Sequence, residues 1–351
     1  MIATALCLIV FAIASCSKKE GGTAPKVVFT TGSDKNEMFR IGDAVCEKPE
    51  LMVYLTNMKN QYEGVFGNGI WDTSIDGVKL EQNLKNRAIE NLAQIKVMVL
   101  MAKDKGIELT LDEQEKVQKS AKEYADSLGE AGMKSLDVDA DKIKTMYEEY
   151  ALASKVYQTI IGAVNPEISD EEARIITVSH IFLKTYSKDE DGKKVPYTEE
   201  KKKKVYEKAV EIREKALDPE QDFGALAAEF SEDSNATYSF GKGEMDQKIE
   251  EAAFLLDNDA VSEVIETENG YHILKCLSTY EKEGTEKNKT ILVEKRKKEA
   301  FETEYNAFLA TLAKNLNETA IAEVSFPVDG QVKSSGFFDL YNKYFAAAIV
   351  K

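Results

Sequence analysis

The sequence predicts an α+β protein in which two helical arms flank a mixed module. Three observations carry that expectation. Residues 35–163 hold apolar side chains at three- and four-residue steps and read as nearly all helical. Residues 169–282 change texture, with short β-like runs between short helices. Past Gly284 the helical spacing returns for more than four turns. At 351 residues, 43% hydrophobic and 31% charged, the chain has room for two or three compact units and enough apolar surface to bury a core. Its net charge of −16 argues against nucleic acid as a partner, because phosphate recognition needs clustered Lys and Arg. The one dense basic run, Lys201 to Lys204, is followed by Glu207 and Glu211 and reads as a solvated helix face.

The N-terminal run at residues 2–15, IATALCLIVFAIAS, is continuously apolar or small, and the polar tract SKKEGGTAPK follows Cys16. The run is too short for a permanent membrane span and suits the apolar region of a secretory signal. Ile13-Ala14-Ser15-Cys16 resembles a bacterial lipobox, although no Lys or Arg precedes the run. That resemblance implies a lipoprotein signal peptide at 1–15, acylation of Cys16, a polar tether at 16–34 and anchoring to the outer face of a bacterial cell membrane. The alternative is a non-lipidated signal peptide cut nearby. Cys7 leaves with the leader, so Cys46 and Cys276 remain, far apart in sequence and expected as small buried hydrophobes. Two His and two Cys without CxxC or HExxH spacing predict no metal site and no cofactor.

In the N-terminal arm (35–165), Glu37 to Gly42 reads as a short strand and EKPELMVYLTNMKNQYEGVFG as a helix opening near Pro49. Over 78–105, Leu80, Leu84, Ala88, Leu92, Ile95 and Val99 line one helical face, and Gly106 supplies the stop. Thr110-Leu-Asp-Glu113 is a capping box for a helix to about Leu128, and a fourth helix covers Ala140 to Ile161. Asn165-Pro166 breaks the pattern, and Ser169-Asp-Glu-Glu172 is a second capping box. The module at 169–282 then reads as a strand (Ile175 to Leu183), a charged loop (Tyr186 to Glu199) and a helix (Glu200 to Ala216). A short helix in DFGALAAEFSED, a Gly-containing stretch, another short helix (Gln247 to Leu256) and a closing strand (Gly270 to Leu277) follow. In the C-terminal arm (285–351), Ala300, Phe301, Tyr305, Phe308, Leu309, Leu312 and Leu316 keep one apolar face. AIAEVSFPVDG reads as a strand and GFFDLYNKYFAAAIV as a terminal amphipathic helix, with the two arms packing face to face.

The chain holds only two histidines, His180 in ITVSHIFLK and His272 in TENGYHILKC. Strand alternation puts Val178, His180 and Phe182 on one face, and His272 and Leu274 on one face. Pairing of the first and last strands of the module brings both imidazoles to one site.

The stretches VSHIFLK, DFGALAAEFSEDS, GKGEM with EEAAF, and VIETENGYHILK, in that order, resemble the parvulin family of peptidyl-prolyl isomerases over residues 174–280. The resemblance implies a four-stranded antiparallel sheet wrapped by helices. It also implies that His180 and His272 are the family's paired histidines and that Asp233 stands where the family has Cys or Asp. Met245 then lies on the floor of a proline pocket, Thr267 joins the polar network behind the histidines, and Phe240 matches an aromatic before the Gly-x-Met step. Ile249 replaces the pocket aromatic four residues after the Met, NATYSFGKG replaces a longer glycine-containing segment, and Asp259 replaces a Gly. Phe254 is a pocket or support residue, or ordinary core. The loop Lys188 to Lys194, where some parvulins read phosphate with a basic cluster, alternates acids and bases and argues against phospho-specificity.

Such chemistry needs no nucleophile. Amide resonance holds X–Pro bonds behind a barrier of roughly 20 kcal/mol, so a dry grip on the proline and polar groups suited to the twisted amide are sufficient. Helical arms around a parvulin-like module behind a lipoprotein leader resemble the PrsA and SurA type of extracytoplasmic foldase, whose arms cradle unfolded secreted clients. The expected function is a membrane-anchored foldase that binds such clients and isomerises their X–Pro bonds. A non-catalytic holdase with a degenerate module is the alternative, and a solute-binding lipoprotein is disfavoured by the layout. The same arms offer a surface for a homodimer.

Overall fold

A computed structural model describes residues 35–326, 332, 334 and 336–345. The expected leader, Cys16 and the tether lie outside the described residues. The chain divides into two compact units, one from the chain up to Val164 joined with the chain from Ala300, the other Asn165–Glu299.

The first unit opens with strands β1 (Glu37–Ile41) and β2 (Ala44–Glu47), an antiparallel hairpin turned at Gly42 with φ +52°. Helix α1 (Lys48–Phe66) starts with Pro49 in its first turn, where a missing N–H costs nothing. After a 3₁₀ turn at Asn68–Asp72 and a two-residue hairpin, β3 (Ser74–Ile75) and β4 (Val78–Lys79), helix α2 (Leu80–Lys105) ends at Gly106 in the left-handed region. Helix α3 (Leu111–Leu136) has both capping-box bonds of Thr110 and Glu113. The first helical run ends near Leu128 as expected, where Gly129 (φ 62°, ψ 176°) breaks the helical backbone, and a second run beyond the kink, which the sequence reading did not include, carries on to Leu136. Helix α4 (Ala140–Gly162) is capped by Asp139. Lys96 of α2, 3% exposed, sits 2.7 Å from both Glu50 of α1 and Glu149 of α4, so a buried cation ties three helices together.

The second unit begins with a single turn, α5 (Asp170–Ala173), shorter than a capping box usually announces. Strand β5 (Ile176–Lys184) follows, then β6 (Tyr186–Lys188) and β7 (Lys194–Pro196), which form a hairpin where a charged loop was expected. Helices α6 (Glu199–Ala216) and α7 (Phe223–Phe230) lead to β8 (Thr237–Phe240), a strand inside the Gly-containing stretch. Helix α8 (Gln247–Phe254), β9 (Ile265–Thr267), β10 (Gly270–Ser278) and α9 (Lys282–Thr311) complete the order, α9 passing into the first unit at Ala300. The four-stranded sheet runs β8-β5-β10-β9, antiparallel throughout. One face packs Ile181, Leu183, Tyr271 and Ile273 against α6 and α7. The other packs Ile176, Val178, Phe240, Ile265 and Leu274 against Ile249 and Ala253 of α8.

Back in the first unit, β11 (Lys314–Leu316) pairs with β1, giving the sheet order β11-β1-β2. Leu316 therefore leaves the helical face expected of it, because main-chain pairing with a strand far away in sequence outweighs the apolar spacing. Helix α10 (Glu318–Ala322), capped by the Asn317 side chain on the Ala320 N–H, occupies the start of the expected strand AIAEVSFPVDG, whose end lies outside the described residues. Helix α11 (Phe337–Phe345) buries Phe337 among Tyr54, Tyr124 and Tyr147. Cys46 and Cys276 are free and buried. No helix among the described residues is long and apolar enough to cross a membrane.

Candidate active site

The register of β5 on β10 sets His180 opposite Leu274 and His272 opposite Phe182. The histidines are thus diagonal neighbours on one face, and His180 Nε2 lies 2.9 Å from His272 Nδ1 with the rings 8° from parallel. Both are buried, at 4% and 6% exposure. Phe182 stacks beside both rings, 4.6 Å from His272 and 6.2 Å from His180, and Tyr238 of β8 meets His180 edge-on at 5.6 Å. Thr267 Oγ1, at the end of β9, is 2.8 Å from His272 Nε2. Asp233 Oδ2 reaches to 3.3 Å from His180 Nδ1, an approach of charge whose alignment falls short of a hydrogen bond.

Asp233 is itself held. The Tyr238 hydroxyl donates to Oδ2 at 2.7 Å and the Asn235 N–H donates to Oδ1 at 3.1 Å. Ser231 Oγ accepts from the N–H groups of Phe182 and Asp233, fixing the turn to β5. Partial burial works against the carboxylate, but these donors together with His180 hold its pKa below the usual range. Desolvation lowers the pKa of His180 against the pull of Asp233, and desolvation with the neighbouring imidazole lowers His272 to about 4. Both histidines are therefore neutral near pH 7.

Neutral imidazoles carry one proton each, and the anion at Asp233 decides where. A lone pair on His180 Nδ1 facing that carboxylate would be repelled, so Nδ1 carries the proton and Nε2 accepts. His272 then donates through Nδ1, and its Nε2 accepts from the Thr267 hydroxyl. The result is a directed line, Thr267 to His272 to His180 to Asp233.

Beside this line, on the same sheet face, lies one apolar cluster that includes Phe240, Ile249, Met245, Phe254, Tyr238 and Leu274. Phe240 and Ile249 are buried in it, whereas Met245 and Phe254 are partly exposed. Phe254 meets Phe240 edge-on at 6.1 Å and lies under the Arg174 guanidinium at 4.8 Å. Tyr238, Ser231 and Gly270 escaped the sequence reading. Tyr238 sits two residues before Phe240, so strand alternation in TYSF was the signal that places both on one face. At Gly270 (φ +151°) an added Cβ would overlap the Leu183 carbonyl oxygen, so close strand approach requires glycine. Among the described residues no group of His, Cys, Asp and Glu is placed to hold a metal ion.

Residues 180–278 match the family model described as Rotamase: PPIC-type PPIASE domain. A foldase protein PrsA of Clostridium botulinum is 24% identical over 306 residues, 79% of this chain and 83% of that protein. A foldase protein PrsA of Staphylococcus aureus is 28% identical over 188 residues, 52% of this chain and 56% of that protein. A solved structure of a peptidylprolyl isomerase (PrsA) from Bacillus cereus aligns over 78% of this chain and 96% of its own, with 23% identity and a TM-score of 0.36.

Proposed function

We propose, from the premise that residues 180–278 are a parvulin-type peptidyl-prolyl isomerase domain, that this chain is an extracytoplasmic foldase for unfolded secreted polypeptides. The observation that carries the reading is the directed line from Thr267 to Asp233 beside a partly open apolar surface. A planar amide carries charge separated between oxygen and nitrogen, and twisting the bond removes it. A dry surface, and a carboxylate set beside the carbonyl oxygen, both disfavour the separated form, so they favour the twisted state over the planar one. Met245 and Phe254 grip the proline ring, with Ile249 and Phe240 as the packed floor. His180 and His272 transfer no proton in this scheme. They turn the His180 Nδ1 proton toward Asp233 and keep its surroundings neutral.

Acylation of Cys16 fastens the chain to the outer face of the membrane in this reading, and 16–34 is a tether. The arms at 35–165 and 285–351, which flank the isomerase domain at 169–282 in sequence, form a chaperone domain. Ile249 in place of a pocket aromatic favours a second reading, a holdase that binds peptide without turnover. Refolding of a proline-limited client separates the two. Acceleration by substoichiometric chain, lost in Asp233→Ala, supports the foldase. Suppressed aggregation with unchanged refolding rate supports the holdase.

A further inference from the structure

A cleft of about 350 Å³ opens in the first unit between α2 and the segment β11–α10. Gln82, Asn86, Ile89 and Glu90 line it from α2, and Leu316 and Glu318 line it from the opposite side. Three of its features point to one kind of occupant. The first is main-chain hydrogen bonding. The Asn317 N–H donates to Met38 O at 2.9 Å, and the Gly42 N–H donates to Ala313 O at 2.8 Å. Antiparallel bonding alternates, so residues 313, 315 and 317 face β1 and the N–H and C=O groups of Lys314 and Leu316 point away. Among the described residues those outward groups have no hydrogen-bond partner. Such an edge is a template for an added strand.

The second feature is charge. The lining carries two carboxylates and no Lys or Arg. Lys85, five residues before Glu90, is buried with Nζ turned to the Ile321 carbonyl, Arg87 reaches the Tyr62 hydroxyl, and Lys314, two residues before Leu316 on β11, makes no ion pair with either acid among the described residues. Neither Glu90 nor Glu318 has an ion-pair partner among the described residues. Partial burial raises the Glu90 pKa against the pull of Arg87, as for an anion short of counter-charge. The third is apolar surface beside the acids, from Ile89 and from Leu316, which is 38% exposed on the edge strand.

We infer that this cleft binds an extended polypeptide in which Lys or Arg alternates with aliphatic residues, added as a strand to β11. The inference deepens the foldase reading by naming a client chemistry, and it rests on that reading for the source of the peptide. The test uses the full chain and fluorescein-labelled, proline-free peptides of alternating Val-Lys or Val-Glu, read by anisotropy. The Val-Lys peptide binds about tenfold tighter at low salt, the margin shrinks as salt rises, and the double variant Glu90→Gln, Glu318→Gln abolishes it. A Val-Lys peptide N-methylated along one edge loses binding, which reports main-chain pairing without disturbing the protein. Equal affinity for the two peptides, no response to the double variant, full binding of the N-methylated form, or self-association of the chain through this cleft would each overturn the inference. Isomerisation of a short X–Pro peptide is measured alongside and is unchanged in the double variant. Because the probes lack proline, failure of the isomerase leaves the cleft standing, and failure of the cleft leaves the isomerase standing.

Discussion

His180 and His272 are held neutral by burial, and that has a consequence in pH. The unfolded histidines titrate near 6.5, while folded His272 titrates at about 4. Between those values the unfolded chain binds protons that the folded chain refuses, so stability rises with pH from about 4 to 6.5 and then levels. Asp233, with a lowered pKa, acts in the same direction below 3.8, where its contribution is lost as it protonates. Urea midpoints measured against pH show this rise, and His272→Gln flattens it. A flat profile in the parent would contradict the neutral pair. Tyr238→Phe removes the donor on Asp233 Oδ2 and is expected to lower kcat several-fold at pH 7 while the fold persists. An acid limb of kcat moved to higher pH, as the carboxylate loses a donor that favours its charged form, separates this from a purely structural loss. Strand parity, with the first and last strands of the module paired, was enough to bring the two imidazoles to one sheet face. Alternation in TYSF sets Tyr238 on one face with Phe240, but its contact with His180 depends on how β8 registers on β5, which the alternation does not give.

Among elements, helices read best, since each carries its own period and caps. The capping box of Thr110 and the stop at Gly106 are visible in both sequence and structure. Short strands read worst. β11, β8 and the hairpin β6–β7 have three or four residues each, too few for a period, and exist because a partner strand supplies their hydrogen bonds. The mid-helix break at Gly129 was half legible, as an end where the structure has a kink. The close approach of β10 to β5 carries its own prediction. Gly270→Ala forces the added methyl into Leu183 O and is expected to cost about 1–3 kcal/mol, read by urea unfolding. The imidazole resonances of His272, two residues along, shift in the same variant. An unchanged midpoint with unshifted imidazoles would show that β10 does not need the glycine. At Asp259, which takes φ 63°, Asp259→Gly is expected to be neutral or slightly stabilising, since it relieves a left-handed non-glycine residue.

At the scale of the whole molecule, an isomerase domain with a neutral, directed polar line is combined with a helical unit that carries an acidic cleft and an unpaired strand edge. The net charge of −16 extends the acidic character over the chain, and under the proposed foldase reading it favours basic segments as clients. The activity proposed for the paired-histidine site is turnover of X–Pro bonds. It is tested by exchange NMR of a short X–Pro peptide with the full chain, beside Met245→Ala and Asp233→Asn. The account predicts cis–trans exchange far faster than the uncatalysed tens of seconds, cut at least about tenfold by either substitution. Exchange at the uncatalysed rate with a folded chain, or acceleration that both variants retain in full, would contradict it.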